Sequence, residues 1–234
     1  MKIAVIGSGG HSKVIQEMIM SMTGNEIIGI FDDKFQKEFK EQNVQYGPVF
    51  SAKRMAEKDD QVKFILAIGN NEVRNKIVNL LMLPIEKYAT IIHPSAVISK
   101  TAKIRNGSVI MPNAVINAEA VVGSHCIINT SSVIEHNCML RDFVHISPKA
   151  VLTGGVEVED GVQLGAGSTV IPNIKIGSWS MIGAGAVVIR DIPSNSIAVG
   201  VPAKVLNKSK GGKAIVDCYR KTANLSFATS HERP

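Results

Sequence analysis

IMPNAVINAEAVVGSHCIINTSSVI, residues 110–134, places an aliphatic side chain at every sixth position: Ile110, Ile116, Val122, Ile128 and Ile134. The series runs on in both directions without an insertion. It begins at Ile98 and Ile104 and continues through Leu140, Ile146, Leu152, Val158, Leu164, Val170, Ile176 and Ile182 to Val188. Two residues before each stands a mostly small side chain, among them Ala96, Ala102, Ser108, Ala114, Ala120, Cys126, Ser132 and Cys138. An α-helix repeats near 3.6 residues and a half-buried strand every two. A period of six is that of a parallel β-helix, in which each repeat buries its apolar face only by stacking on its neighbours. Three hexads make one triangular coil of eighteen residues, with the aliphatic side chain inward and the small one near a corner. At a strand spacing of ~4.8 Å the hexads predict a prism roughly 25 Å tall. Hexad repeats specify the left-handed variety, an exception to the right-handed crossover rule.

The residues in front of the prism carry a different period. KIAVIG reads as a strand, SGGHSKVIQEMIMSM as a glycine turn entering an amphipathic helix, and EIIGIFDD as a second strand. VKFILAIGNN is a third strand and NEVRNKIVNLLM a helix with apolar residues at helical spacing. Strand, turn, helix and strand predict a Rossmann-like α/β unit with a parallel sheet over 1–90, followed by the β-helix over 91–206. VGVPAK at 199–204 reads as a cap leaving the prism, and 207–234 as a tail expected to be flexible, to which no chemistry is assigned.

Composition agrees with this division. The 234 residues are 45% hydrophobic but only 5% aromatic, which suits a core of stacked branched side chains. Cys126, Cys138 and Cys218 form an odd set without a CxxC pair, as expected of free thiols in a reducing compartment. Cys126 and Cys138 occupy small-residue slots and read as packing rather than as nucleophiles. The amino terminus lacks a secretory signal pattern and no apolar run reaches eighteen residues, so the expectation is a cytoplasmic protein without membrane insertion. The net charge of +6 falls mostly on residues 208–234, leaving no general case for a nucleic-acid partner.

Stacking by eighteens selects candidate residues. One coil above His136 lies Gly154, followed by Gly155. A proton acceptor beneath a backbone N–H bare of any Cβ is what acyl transfer needs: one takes the nucleophile's proton and the other holds the developing oxyanion. The competing reading is a surface-turn histidine under a turn-forming glycine. His145 lies half a coil on, near a different corner, where it is either an exposed polar residue or, in a threefold assembly, faces His136 of the next subunit. In the first domain, Gly7-Ser8-Gly9-Gly10 between a strand and a helix aims N–H groups at an anion. Ser12 stands where the dinucleotide pattern requires glycine, and one mononucleotide half suits a single nucleotide sugar better than NAD.

IGSGGH at 6–11, FDD at 31–33, AIGNNEVRNKI at 67–77, NTSSVIEHNC at 129–138, FVHISPKAVLTGG at 143–155 and VGVPAK at 199–204 occur in one order that resembles a known family. That family is the left-handed β-helix acetyltransferases of nucleotide-linked amino sugars. It includes the UDP-amino-sugar N-acetyltransferase of bacillosamine synthesis, with sialic-acid O-acetyltransferases and perosamine N-acetyltransferases nearby. The resemblance implies acetyl-CoA as co-substrate, no metal, a homotrimer and a role in polysaccharide or glycan precursor synthesis. It implies direct transfer with His136 as general base, His145 beside the acetyl-CoA, the Gly154 N–H on the thioester carbonyl, and Ala166 and Ala184 along the CoA arm. Gly9, Gly10 and His11 would meet the phosphates, Asp32 and Asp33 the nucleotide, and Gly69 the same pocket. One departure stands out: the family often places Glu or Asp directly after the base, and this chain has Asn137. Glu119, one coil below Asn137, is the candidate substitute.

Three other functions are compatible with the pattern. A zinc site from His125, His136 and His145 lacks the close histidine pair expected of β-helix carbonic anhydrases. O-acetylation of a sugar hydroxyl would use the same base. A non-catalytic nucleotide-sugar-binding protein would account for Asn137.

Overall fold

The computed structural model describes residues 1–208. The first region contains β1 (Lys2–Ile6), α1 (Gly10–Ser21), β2 (Glu26–Phe31), β3 (Phe39–Glu41), β4 (Val44–Gly47), α2 (Ser51–Lys58), β5 (Lys63–Leu66) and α3 (Asn71–Leu81). The sheet runs in the order β3-β4-β2-β1-β5, with β1 parallel to both β2 and β5. Alternation along β1 builds a core on each side. Ile3 and Val5 pack with Ile15 and Ile19, while Ala4 and Ile6 pack with Phe31, Phe64 and Leu81. The β3–β4 hairpin and α2 are additions to the expected elements, and β3 runs antiparallel, so the sheet is mixed. The hairpin turns at Gln42 and Asn43, both with positive φ, a turn of the kind that two-residue hairpins favour.

The prism follows, in three parallel sheets that pair residues eighteen apart: Val115 with Val133, Val121 with Met139, Ile127 with His145. The expected fold, a Rossmann-like unit followed by a parallel β-helix, is borne out. In each two-residue strand the second side chain points inward. From Ile110 to Val188 these positions are buried, while Ile98 and Ile104 at the open lower end are half-buried. The first side chains define the three outer faces. One carries Val97, Val115, Val133, Val151, Thr169 and Val187, and a second Lys103, Val121, Met139, Glu157 and Lys175. The third carries Ile91, Val109, Ile127, His145, Gln163 and Met181. Ser196–Val199 and the antiparallel Lys204–Lys208 close the top of the third face, and the remainder of the tail, Cys218 included, lies outside the described residues.

From Gly107 to Gly185 each corner turns on one residue of left-handed φ, and this position also recurs every six residues. It is held by Gly107, Asn113, Glu119, His125, Ser131, Asn137, Phe143, Lys149, Gly155, Gly161, Gly167, Asn173, Trp179 and Gly185. Glycine and asparagine are the residues that tolerate this conformation best. His125, Phe143 and Trp179 are held there by stacking: His125 lies on Phe143 with centroids 5.2 Å apart, and Trp179 lies over Gly161.

The first domain docks on the third face. Ile91, Val109 and Met111 share one core cluster with Ile15, Met18 and Ile19. Arg74 of α3 fastens the contact although it is 1% exposed. Its Nε donates to His125 O at 3.1 Å and Nη2 to Phe143 O at 2.9 Å. Nη1 reaches Ile68 O and Gly69 O. Burial lowers the guanidinium pKa to about 10, which leaves it charged at neutral pH and solvated by carbonyls alone.

Candidate active site

His136 and Gly154 stack at the corner between the valine-lined first face and the charged second face. The strands at 133–134 and 139–140 bracket this corner, which fixes His136 by register rather than by local propensity. The ring lies against the glycine backbone: a Cβ on Gly154 would fall 2.6 Å from Cε1 and 2.7 Å from Nε2 of His136. Nδ1 of His136 meets Asn137 Oδ1 at 2.9 Å. An amide oxygen can only accept, so Nδ1 carries the proton and Nε2 presents a lone pair. Asn137 sits at the left-handed corner position, with φ of 60°. Among the described residues no carboxylate hydrogen-bonds this ring. Glu119 remains on its own rung, its N–H on Thr101 Oγ1, and Glu135 Oε2 lies 3.4 Å from the His136 backbone N.

The Gly154 N–H is open for a reason that can be read from the other columns. At the His125 corner the N–H of Ser124 is met by Asp142 Oδ1 one rung above, and that of Asp142 by Asp160 Oδ1. Above Gly154 the corresponding residue is Pro172, which has no side-chain acceptor. The Gly154 carbonyl is taken by the Asn173 N–H and the neighbouring Gly155 N–H by His136 O, but no acceptor among the described residues meets the Gly154 N–H. His136, Asn137, Gly154, Gly155, Pro172 and Asn173 together line a recess of about 340 Å³.

The other candidates lie elsewhere. Ala166 and Ala184 are exposed in the column of the corner between the first and third faces, above Pro148. His145 is not at a corner at all. It sits in a strand of the third face, 8% exposed, beneath the docked domain. Its Nδ1 donates to Gly69 O at 3.2 Å, and Nε2 faces Asn129 Nδ2 at 3.2 Å. Burial, the Arg74 charge and the nearby His11 push its pKa down to about 3, so it is neutral in the folded protein. The expected exposure of His145 is therefore not observed, because docking of the first domain covers it. His136 lies at the corner opposite the docked domain, away from His125 and His145 beneath it, and no group of three metal-binding side chains occurs among the described residues.

The second recess, about 420 Å³, opens where β1, β2 and β5 end, and Gly9, Gly10, His11, Asp32, Asp33 and Gly69 all line it. Gly7 makes the turn possible: its φ is 105°, and a Cβ there would meet Ile68 and Ala67 within 3.0 Å. At Gly9 and Gly10, by contrast, a Cβ would meet nothing, so their backbone lies bare to the recess. α1 begins here with no side-chain cap and no acid in its first turn, leaving its N–H groups for an anion. Ser12 is buried, donating to Gly7 O at 2.7 Å, which ties the turn to the helix without a third glycine. Asp32 is a strut: Oδ2 accepts from the Ser8 N–H and hydroxyl, and Oδ1 from the Lys34 N–H. Partial burial works against its charge, but these hydrogen bonds outweigh burial and hold the carboxyl below its usual range. Asp33 Oδ1 accepts from the Val49 N–H. Burial, followed by the Arg74 charge, lowers His11 to about 4.

A perosamine N-acetyltransferase from Caulobacter crescentus, solved as a mutant with CoA and GDP-perosamine, superposes with a TM-score of 0.79. The two share 33% identity over 88% of this chain and 97% of that one. The chain belongs to the hexapeptide-repeat sugar N-acetyltransferases. The resemblance carried by IGSGGH, EHNC and VHIS is thereby borne out. The acetyltransferase domain of PglB from Neisseria gonorrhoeae, solved with acetyl coenzyme A, gives 34% identity and a TM-score of 0.77 over 88% of this chain and 98% of that one. The family models divide as the two recesses do: PglD N-terminal domain over 2–81, and bacterial transferase hexapeptide over 101–136 and 155–190. The UDP-N-acetylbacillosamine N-acetyltransferase of Bacillus subtilis is 44% identical over 108 residues, which span 46% of this chain and half the length of that protein. Within this family frame the left hand of the β-helix follows.

Sequence reasoning passed over Arg74, Asn129 and Pro172. Arg74 had a signal, since it shares the buried stripe of α3 with Ile77 and Leu81, where a cation needs partners. Pro172 had one as well, being the residue eighteen beyond Gly154.

Proposed function

We propose that the chain is an acetyl-CoA-dependent N-acetyltransferase acting on a nucleotide-linked amino sugar, with His136 as general base. The observation that carries the reading is the pairing of a lone pair on His136 Nε2 with the open N–H of Gly154. The acceptor amine attacks the thioester carbonyl and a C–N bond forms. The carbonyl oxygen becomes an oxyanion facing the Gly154 N–H. Nε2 takes the proton from the nitrogen, the C–S bond breaks, and CoA leaves as the thiol once that proton is returned. Acetyl passes directly to nitrogen; Cys126 and Cys138 are buried, Cys126 held as a thiol by a pKa raised to about 12.

Asn137 favours an amine over a hydroxyl acceptor. A neutral amine is nucleophilic before it loses a proton, whereas a hydroxyl must be deprotonated as it attacks. A base oriented by an amide, without the charge of a carboxylate, suits the first case.

The positions of the groups support a homotrimer. The nucleotide recess adjoins the third face, while His136 occupies the opposite corner of the same prism. An acceptor held in one protomer's recess is separated from that protomer's own His136 by the packed core. A threefold assembly that buries the valine face, bounded by the His136 and Ala166 corners, brings the His136 corner of one protomer to the Ala166 corner of the next. The open N–H groups of Ala166 and Ala184 would then run along the CoA arm. Stripping Val115, Val133, Val151 and Val187 of solvent supplies a driving force of roughly 25 cal/mol per Å² buried.

UDP is the proposed nucleotide on the strength of the Bacillus relative, whose name specifies it, against the GDP sugar held by the Caulobacter enzyme. Residence in the cytoplasm and a place in glycan precursor synthesis go with that substrate. Among the described residues no helix is long and apolar enough to cross a membrane. The test is CoA release with UDP- and GDP-linked 4-amino sugars, followed by mass analysis of the acetylated nitrogen. Turnover with sugar hydroxyls only, or with no nucleotide sugar, would displace the proposal.

A further inference from the structure

The amino-terminal recess has an unusual charge balance for an anion site. Two carboxylates, Asp32 and Asp33, line it, and no lysine or arginine does. The positive end of α1 is equivalent to about half a charge, too little for two anionic phosphoryl groups beside two acids. Arg74, buried behind the wall, spends Nη1 on the Ile68 and Gly69 carbonyls, and the exposed Lys34 stands at the rim. Lys34 Nζ lies 3.5 Å from Ser8 O, on the glycine turn, and 5.0 Å above the Phe35 ring. The side chain is exposed and both of its contacts are long and weak, so little holds the ammonium where it lies. Its backbone is not free, because the Lys34 N–H is fixed on Asp32 Oδ1, and Asp32 in turn holds Ser8. The strut thus keeps the root of the lysine beside the bare backbone of Gly9 and Gly10 while its tip can swing over them.

We propose that Lys34 closes over the diphosphate of the bound nucleotide sugar and sets the preference of this recess for a nucleoside diphosphate over the nucleoside. The inference rests on the nucleotide-sugar reading above. Removing Nζ leaves the Asp32 strut intact, since that bond uses the main chain.

Calorimetric titration of UDP, GDP, uridine and guanosine into the wild type, Lys34→Met and Lys34→Arg tests it. The expected result is a ~10–100-fold loss of nucleoside diphosphate affinity in Lys34→Met, as for a lost charge-assisted hydrogen bond. Nucleoside affinity should hold within ~2-fold, and Lys34→Arg should restore most of the loss. In turnover, KM for the nucleotide sugar should rise with kcat kept. Equal diphosphate affinity in Lys34→Met and wild type, or an equal loss for nucleoside and diphosphate, overturns the role of Lys34 while leaving the nucleotide reading standing. A wild type that binds none of the four removes the nucleotide reading and this inference with it.

Discussion

The imidazole of His136 occupies the space that a side chain on Gly154 would fill, with the prospective Cβ only 2.6 Å from Cε1. Gly154 is absent from the residues of positive φ, so its backbone would accept alanine; the obstacle is the ring. Gly154→Ala should therefore fold and stack normally but push His136 off its position. The expected cost is ~10²-fold in kcat, close to that of removing the imidazole. The double variant with His136→Ala should be little worse than either single one. Steady-state kinetics on the four proteins check this; full additivity would separate the two residues.

Asn137 Oδ1 fixes the protonated nitrogen of His136 from a corner position that needs positive φ. Asn137→Asp retains the acceptor, tolerates the same conformation and adds the charge common in the family. The acid limb of its kcat/KM profile should move to higher pH, because a carboxylate stabilises the imidazolium. Asn137→Ala should lower kcat ~10-fold or more without moving that limb in the same direction. A pH–rate series on the three proteins decides; coincident profiles would leave Asn137 a turn former only.

Three histidines make the contact between the domains sensitive to acid. Burial pushes His11 and His125 down to about 4, and burial, Arg74 and His11 push His145 to about 3. Folded values lie below the unfolded value of 6.5, so the unfolded chain binds more protons across that interval. Stability is then complete above about pH 6.5 and falls as pH drops toward 4. Thermal unfolding followed from pH 7.5 to 4.5 should show Tm falling steadily. His145→Gln, which removes one titrating ring, should flatten the slope. A Tm independent of pH over this range would contradict the burial of these rings.

Much of this architecture was legible because a β-helix converts sequence spacing directly into geometry. Eighteen residues is one rung, so the His136–Gly154 pair could be placed by counting, and so could the inward aliphatic series. What counting could not reach depends on a second surface. His145 has the spacing of an outward strand residue; only docking of the first domain, through Arg74 and Gly69, buries it. The β3–β4 hairpin escaped because Phe39–Glu41 is a short, exposed edge strand without apolar alternation. The corner column was half visible: glycine and asparagine hold eight of its fourteen positions, but Phe143 and Trp179 hide the period until their stacking is seen. Asp32 was read as a ligand to nucleotide; spacing could not show that its two oxygens also hold Ser8 and Lys34.

The central claim is that the base at the seam between identical prisms is His136. The most direct measurement is single-turnover acetyl transfer from acetyl-CoA to a nucleotide-linked amino sugar by His136→Ala, with its assembly state and CoA affinity determined on the same sample. The account predicts a trimer that binds CoA as the wild type does and transfers acetyl at least ~10²-fold more slowly. A trimer with intact CoA binding and an unchanged transfer rate would contradict it.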